Sequence, residues 1–427
     1  MSVSIVGWAH LPFGRLDGLS LEDLIVRAAR EAMDHAGVPA DQVDGIWLGN
    51  LNGGFTPDIF ASSLALHADP ALRWKPAVRL ENACASGSAA VYGACDAIEA
   101  GRARVALVIG AEKMTAVSGA DVTRILGQCA WSGEEGNPPG GFPGIFGEIA
   151  KSYFAAFGDH SATLARIAAK NHANGVANPW AHMRRDLGFE FCNTVSDKNP
   201  MIAAPLRKTD CSLVSDGAAA LVIVDDGRAA EFPRAVAVRA RAQVNDWLPL
   251  GSRQAASFEG PRRAWTQSLQ AAGCTVNDLS LAEVHDCFTI AELLSYEAMG
   301  LAAPGQGHRL LEEGVVMRGG RLPVNASGGL KAKGHPIGAT GVSMHAVSAM
   351  QLCGEAGDMQ VPGATLAGVF NMGGRRGRQL RQHPRAHPLT HISSFAFFAT
   401  SPHFVISARW NAPSCAGVIG VYSTPIA

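Results

Sequence analysis

The apolar and polar positions of this chain describe strands and helices that recur in the same order. Val3-Ser-Ile-Val6 reads as a short buried strand. Ser20-Leu-Glu-Asp23 has the form of a capping box, and Leu24, Ala28 and Ala32 continue one helical face as far as Gly37. The strand-like Gly45-Ile-Trp-Leu-Gly49 comes next. Further along, Ala235-Val-Ala-Val238 predicts a strand, Arg262–Ala272 a helix ending at Gly273, and Leu281-Ala-Glu-Val284 a second strand. The following elements repeat as well. Asn82-Ala-Cys-Ala-Ser-Gly87 opens an Ala-rich helix that reaches Gly101, then the strand Val105–Ile109. Its counterpart runs from Asn325-Ala-Ser-Gly-Gly329 to a helix around Val342–Leu352 and the strand Thr365–Phe370.

Strands this apolar belong in sheets covered on both faces, so the pattern predicts an α/β protein made of two pseudo-repeated halves. The halves are expected at 1–228 and 229–374. Residues 113–207 break the rhythm with Gly, Pro, Asn and Trp and contain one clear helix, Ser161–Ala173. They read as an insertion in the first half that walls a substrate site, since long ordered insertions are often functional.

Composition narrows the class. Of 427 residues, 47% are apolar, 17% are charged and 48 are glycine, which suits a close-packed protein. A net charge of -1 argues against a dedicated nucleic-acid or anionic-membrane binder. The nine cysteines, at 84, 95, 129, 192, 211, 274, 287, 353 and 415, form no CxxC pair. That scatter fits a reducing compartment, and with no signal-peptide pattern or membrane span visible the expectation is a soluble, cytoplasmic protein. Neither a P-loop nor a Gly-x-Gly-x-x-Gly is present, and no metal, flavin or nicotinamide is expected.

Three places carry candidate chemistry. Cys84 sits at a strand-to-helix turn, where helix-terminal N–H groups favour a thiolate. His335 lies in Gly334-His-Pro-Ile-Gly-Ala-Thr-Gly341, at the turn that the repeat makes the counterpart of the Cys84 turn. Pseudo-symmetry then brings thiol and imidazole together as a pair for thiolate acyl transfer. His285-Asp-Cys-Phe288 follows a buried strand and offers either a metal pair or a second acid/base set; no CxxC or HExxH accompanies it.

Asn82-Ala-Cys84-Ala-Ser-Gly, His285-Asp-Cys-Phe288 and Gly334-His-Pro-Ile-Gly-Ala-Thr-Gly341 together resemble the thiolase superfamily. The His-Asp-Cys-Phe form, with Lys170-Asn-His172, Asn178-Pro179, Pro205-Leu-Arg207 and Ser215-Asp-Gly-Ala-Ala219, resembles the sterol-carrier-protein-type thiolases and their bacterial relatives. The likeness extends over about residues 3–374. It implies the layered αβαβα thiolase fold with a loop domain, and an acyltransferase that makes or cleaves 3-ketoacyl-CoA. Coenzyme A thioesters would be substrates, with no permanently bound cofactor and with a homodimer or dimer of dimers as the assembly. Cys84 would carry the acyl group and His335 accept its proton. His335 and a water held by His285 would stabilise the enolate, and Asn371, Gly374 and Gly338 would support the oxyanion and its loops. Where most thiolases have a Cys-x-Gly-Gly-Gly turn this chain reads Asn371-Met-Gly-Gly-Arg375, so Cys287 would take over acid/base work. Two competing readings are a ketoacyl-synthase-like condensing enzyme and a catalytically silent scaffold or lipid-binding partner.

The last 53 residues depart from the rest, with six arginines and no Asp, Glu or Lys. The repeat predicts a buried strand directly after Gly374, matching Ala219–Val224, yet the chain continues Arg375-Arg-Gly-Arg-Gln-Leu-Arg. Such a segment cannot enter a doubly covered sheet without burying unpaired charge. Two explanations stand open for 375–427: a basic interaction arm, or a reading-frame change after Gly374 that replaced the final strand. The abruptness favours the frame change, and the expected consequence is a second half lacking a central strand.

Overall fold

The computed structural model describes residues 3–130, 140–246 and 257–374, together with the backbone of 417–425. Its nine-stranded mixed sheet is built from β1 (Val3–His10), β2 (Gly45–Gly49), β3 (Ala77–Leu80), β4 (Val105–Glu112), β7 (Gly217–Asp225), β8 (Val236–Asp246), β9 (Leu281–Val284), β10 (Leu366–Met372) and β11 (Gly417–Pro425). The strand order is β3-β2-β4-β7-β1-β8-β11-β10-β9. A short hairpin, β5 (Met201–Ala203) with β6 (Leu206–Arg207), stands apart.

The order is a repeat folded about the β1–β8 contact, where only Ser4–Ala237 and Ile5–Val236 pair. Outward from that seam run β7, β4, β2 and β3 on one side and β11, β10 and β9 on the other, with Val324 bridged in parallel to Ala282 of β9. Helices α2 (Ser86–Glu99) and α11 (Ile337–Cys353) fill the space between the half-sheets. Helix α1 (Leu21–Ala36) covers the outer face of the first half-sheet and α7 (Glu259–Ala272) that of the second. Alternation along β4 shows the double coverage: Val105, Leu107 and Ile109 join the core under α1, while Ala106 and Val108 join the core around α2 and α11. The Ser20 capping box and the left-handed Gly37 end α1 as the sequence predicts.

The insertion holds more helix than its composition suggests: α3 (Gly119–Gly127), α4 (Gly141–Phe157), α5 (Ser161–Val176) and α6 (Gly188–Asn193). Helix α4 was hidden by Gly141, Pro143, Gly144 and Gly147. Tertiary contact overrides weak propensity there, since a Cβ at Gly147 would stand 3.0 Å from the carbonyl oxygens of Ala203 and Ala204. The second half adds α8 (Thr289–Ala298), α9 (Gly307–Glu312) and the single turn α10 (Gly329–Ala332).

The expected gap in the second half is corrected by β11. The slot between β8 and β10 is occupied, by Gly417–Pro425 instead of the residues after Gly374. Gly417-Val-Ile-Gly-Val-Tyr422 is a short β-branched stretch, the kind that reads as a buried strand, but it lies far from the position the repeat specifies. Its direction also differs. In the first half β7 is antiparallel to both β4 and β1. In the equivalent slot β11 is parallel to both β10 and β8. A strand that returned through a tight turn after β10 would be antiparallel, whereas a parallel partner requires a long crossover.

The frame change carries its own expectation for the gene. Where the arginines at 375, 376, 378 and 381 are encoded by CGN, shifting the frame by one base turns their codons into GNN codons for Gly, Ala, Val, Asp or Glu. The same shift turns Gln379 and Gln382 into Asn or Ser, Leu380 into Phe, Tyr, Ser or Cys, and His383 into Ile or Thr. This is strand material comparable with Gly217-Ala-Ala-Ala-Leu-Val-Ile-Val224, whereas a two-base shift gives mainly Ser, Pro, Thr and Ala. The gene read one base on from the first base of the Arg375 codon is therefore expected to encode a Val/Ile-containing strand. A stop codon or a Gly/Asp-rich stretch in that frame would contradict it.

Candidate active site

The site is made where two helices begin in backbone contact. A Cβ on Gly87 of α2 would lie 2.7 Å from Gly338 O and 2.8 Å from Val342 N, and one on Gly341 of α11 would collide with the Ser88 backbone. Gly338 is pressed in turn against the ends of β2 and β4, its Cβ position 2.5 Å from the carbonyl oxygens of Gly49 and Ala111. Cys84 immediately precedes α2 and His335 immediately precedes α11, so this crossing carries both to one place. With His285, which follows β9, their ligand atoms all lie within 4.8 Å of one another. The two imidazole rings meet edge to face with centroids 5.1 Å apart. Cys287 lines the same cavity as Cys84 and His335, a space of about 440 Å³.

The Cys84 turn is strained and braced. Ala83 has φ +47°, a left-handed conformation that costs a non-glycine residue about 1–3 kcal/mol. Ser86 holds it, donating from Oγ to Ala83 O at 2.7 Å and accepting from Asn82 N at 2.8 Å. Asn371 reaches across from β10. Its Nδ2 donates to Cys84 O at 3.1 Å and to His285 Nδ1 at 3.0 Å, while its Oδ1 accepts from Ser88 Oγ at 2.9 Å.

These partners give the imidazoles opposite roles. Thr340 Oγ1 donates to Pro336 O at 2.9 Å, so at 2.7 Å it accepts the Nδ1–H of His335. The proton of neutral His335 is thereby assigned to Nδ1, and its buried Nε2 has no hydrogen-bond partner. His285 is the reverse: Nδ1 accepts from Asn371, which puts its proton on Nε2. One ring offers a lone pair and the other an N–H. The Cys84–His285–His335 cluster has metal-like donor types, but a zinc-bound histidine donates its second nitrogen outward. His285 Nδ1 accepts instead, so the cluster fits acid/base work better than metal binding.

Burial sets the protonation states. It lowers His335 to about 3, with the buried Lys333 adding to the effect, and holds His285 well below its ordinary value, with His335 contributing. Burial likewise pushes the Cys84 and Cys287 thiols well above theirs, Cys84 also feeling Cys129, Cys287 and Glu112, and Cys287 feeling Asp286. Burial therefore acts on Cys84 against the helix-terminal N–H groups, which favour a thiolate. The direction of both shifts favours a resting pair of neutral thiol and neutral imidazole.

Gly338 N donates to Glu112 Oε2 at 3.0 Å, which makes this glycine a loop support and leaves its N–H unavailable to an oxyanion. Gly374 has φ +81°, a left-handed turn after β10. Glu112 escaped the sequence reading. Burial raises it to about 7, although it also accepts from Leu51 N, Asn52 N and Asn50 Nδ2. It ties the loop after β2 and the start of α11 to the end of β4. An acid closing an otherwise apolar strand was the available signal. The insertion supplies cavity wall through Met114, Val122, Leu126, Phe142 and Pro143, which face the thiols with Phe288.

The mixed, layered α/β architecture, with a cysteine and a histidine brought together at paired helix starts, is that of the thiolase fold. The thiolase N-terminal domain family matches residues 3–227, and the thiolase C-terminal domain-like family matches 242–380. The chain belongs to the thiolase family. It is 34% identical over 382 residues to the acetyl-CoA acetyltransferase of Methanothermobacter thermautotrophicus, covering 88% of this chain and 97% of that protein. It is 31% identical over 371 residues to human sterol carrier protein 2, covering 82% of this chain and 65% of that protein. Among solved structures, the Ltp2-ChsH2(DUF35) aldolase superposes with a TM-score of 0.72 at 23% identity, covering 86% of this chain and 93% of that one.

A raised thiol pKa gives a signed expectation for Cys84. Its alkylation by iodoacetamide, followed by peptide mapping, should accelerate with pH up to and beyond pH 9 as the thiolate fraction grows. A rate already at plateau below pH 7 would mean a thiolate–imidazolium pair and contradict the neutral resting state.

Proposed function

We propose that this chain makes or cleaves 3-ketoacyl-CoA through an acyl group carried on Cys84 Sγ. The observation that carries the reading is the meeting of the Cys84 thiol with His335, whose proton sits on Nδ1 and whose Nε2 is bare.

In the cleaving direction Cys84 Sγ attacks the keto carbon while His335 Nε2 takes the thiol proton. The bond between the keto carbon and the α-carbon breaks, Cys287 gives its proton to the departing α-carbon, and acetyl-CoA leaves. The thiol of a second coenzyme A loses its proton to the Cys287 thiolate and attacks the acyl-Cys84. Acyl-CoA forms, and His335 returns its proton to the Cys84 sulfur. The N–H on His285 Nε2, through a water, and the His335 imidazolium stabilise the thioester oxygen as the enolate develops. Condensation is the same sequence reversed. All substrate groups belong to coenzyme A thioesters, and no step calls for a bound cofactor.

The sterol carrier protein 2 and aldolase likenesses support a second reading, in which the fold handles lipid or performs other carbon–carbon chemistry. The Cys84–His335–Cys287 set favours acyl transfer, because a scaffold has no need of two thiols beside one imidazole. A soluble cytoplasmic homodimer completes the proposal. Among the described residues no helix is long and apolar enough to cross a membrane. The edge strand β3, beside exposed Ile59, Phe60 and Trp74, is the surface that suits self-association.

A thiolysis assay with 3-ketoacyl-CoAs of graded length tests this reading. Cys84→Ala should abolish turnover, and Cys287→Ala should lower kcat by roughly a hundredfold or more, the usual share of a general acid/base. Full activity in Cys84→Ala would contradict it.

A further inference from the structure

The turn that presents His285 and Cys287 is anchored from behind. Asp286 lies between them, wholly buried, and points away from the cavity. Its Oδ1 accepts from Leu330 N at 2.6 Å and its Oδ2 from Lys331 N at 3.2 Å, which fastens it to α10. The fit is close enough that a Cβ on Gly329 would collide with its carboxylate. A second carboxylate, Glu292 on α8, is also wholly buried. It pairs with Lys170 Nζ at 2.7 Å and accepts from Asn325 Nδ2 at 3.0 Å and from the Tyr296 hydroxyl.

One side chain bridges the two acids. Asn171 on α5 donates from Nδ2 to Asp286 Oδ2 at 2.8 Å and to Glu292 Oε2 at 2.6 Å. That uses both amide hydrogens, and its Oδ1 has no hydrogen-bond partner. Side chains at this depth with a single donor shared between two carboxylates are fixed in place, because losing the donor leaves two buried acids facing each other. Asn171 belongs to the insertion, so the bridge couples the segment that walls the cavity to the turn that carries Cys287. The nucleophile has other supports: Asn371, Ser86 and Thr340 hold Cys84 and His335.

We propose that Asn171 is a positioning residue for α-proton transfer, holding the Asp286 turn so that Cys287 stands over the substrate α-carbon. The proposal rests on the reading of Cys84 as acyl carrier and Cys287 as acid/base. It separates two properties of the site: the reactivity of the Cys84 thiol beside His335 does not pass through the bridge, whereas transfer of the α-proton to Cys287 sulfur does. A displacement of Cys287 by about 1 Å is enough to slow the second on the order of a hundredfold.

Two rates measured on the full chain test it. Alkylation of Cys84 by iodoacetamide, located by peptide mapping, reports the Cys84 thiol beside His335, and solvent deuterium entering the acetyl methyl group of acetyl-CoA reports Cys287. Asn171→Leu should slow deuterium entry on the order of a hundredfold while Cys84 alkylation changes less than about twofold. Asn171→Ala, smaller and likewise without the donor, should show the same split if the leucine variant fails to fold. Asn174→Ala removes another buried donor of α5, to Asn325 O at 3.0 Å, without touching Asp286, and should leave both rates near wild type. Equal losses of both rates in the Asn171 variants, unchanged deuterium entry, or an equal selective loss in Asn174→Ala would overturn the assignment of Asn171 alone. A wild-type protein that exchanges no methyl hydrogen of acetyl-CoA would overturn the underlying reading as well.

Discussion

The organisation of this protein depends on one close approach, backbone against backbone, between the first turns of α2 and α11. Gly87, Gly338 and Gly341 have no room for a methyl group, and the atoms they would strike are mostly main-chain atoms that cannot swing aside. Overpacking against backbone is among the least forgiving of core changes. The contact also extends into the sheet, because Gly49 and Gly110 meet Gly87 and Gly338 in the same way. From this crossing follow the placement of Cys84 beside His335, the reach of Asn371 to both Cys84 and His285, and the tie from Glu112 to Gly338.

A site formed between two half-sheets is buried, and burial governs its chemistry. Neutral thiols and neutral imidazoles are the forms that burial tolerates, so charge arises only as substrate bonds change. The protein's contribution is direction: Thr340 bares one nitrogen of His335, and Asn371 reserves the opposite nitrogen of His285 for donation. Two of the buried titratable groups behind the site are heavily bonded. Glu112 has four N–H donors, and Lys113 pairs with Asp216 at 2.6 Å within a cluster that includes Thr115 and Leu16. Such networks cost several kcal/mol to desolvate and gain their value by fixing geometry.

Much of this architecture was legible from residue pattern, because periodicity survives duplication: the order of apolar strands and capped helices recurs, and the cysteine and histidine turns fall at equivalent places. What escaped has physical causes. Helix α4 is glycine-rich and exists through tertiary contact, so propensity hid it. The Cys84 protonation state depends on burial, which a helix-end argument does not weigh. Glu112 and Asn171 act through contacts between distant segments, and neither stands out by type or spacing. Strand β11 shows the limit from the other side: the repeat specified the slot and the direction of its occupant, and the chain fills the slot in the opposite direction.

The account turns on whether Cys84 is the sulfur that carries the acyl group. The most direct measurement is to mix the protein with acetyl-CoA, quench in acid and locate the acetyl group by peptide mass spectrometry. The account predicts one acetyl thioester, on the peptide containing Cys84, and its loss on adding free coenzyme A before the quench. An acetyl group on Cys287 or Cys211, or none at all, would contradict it.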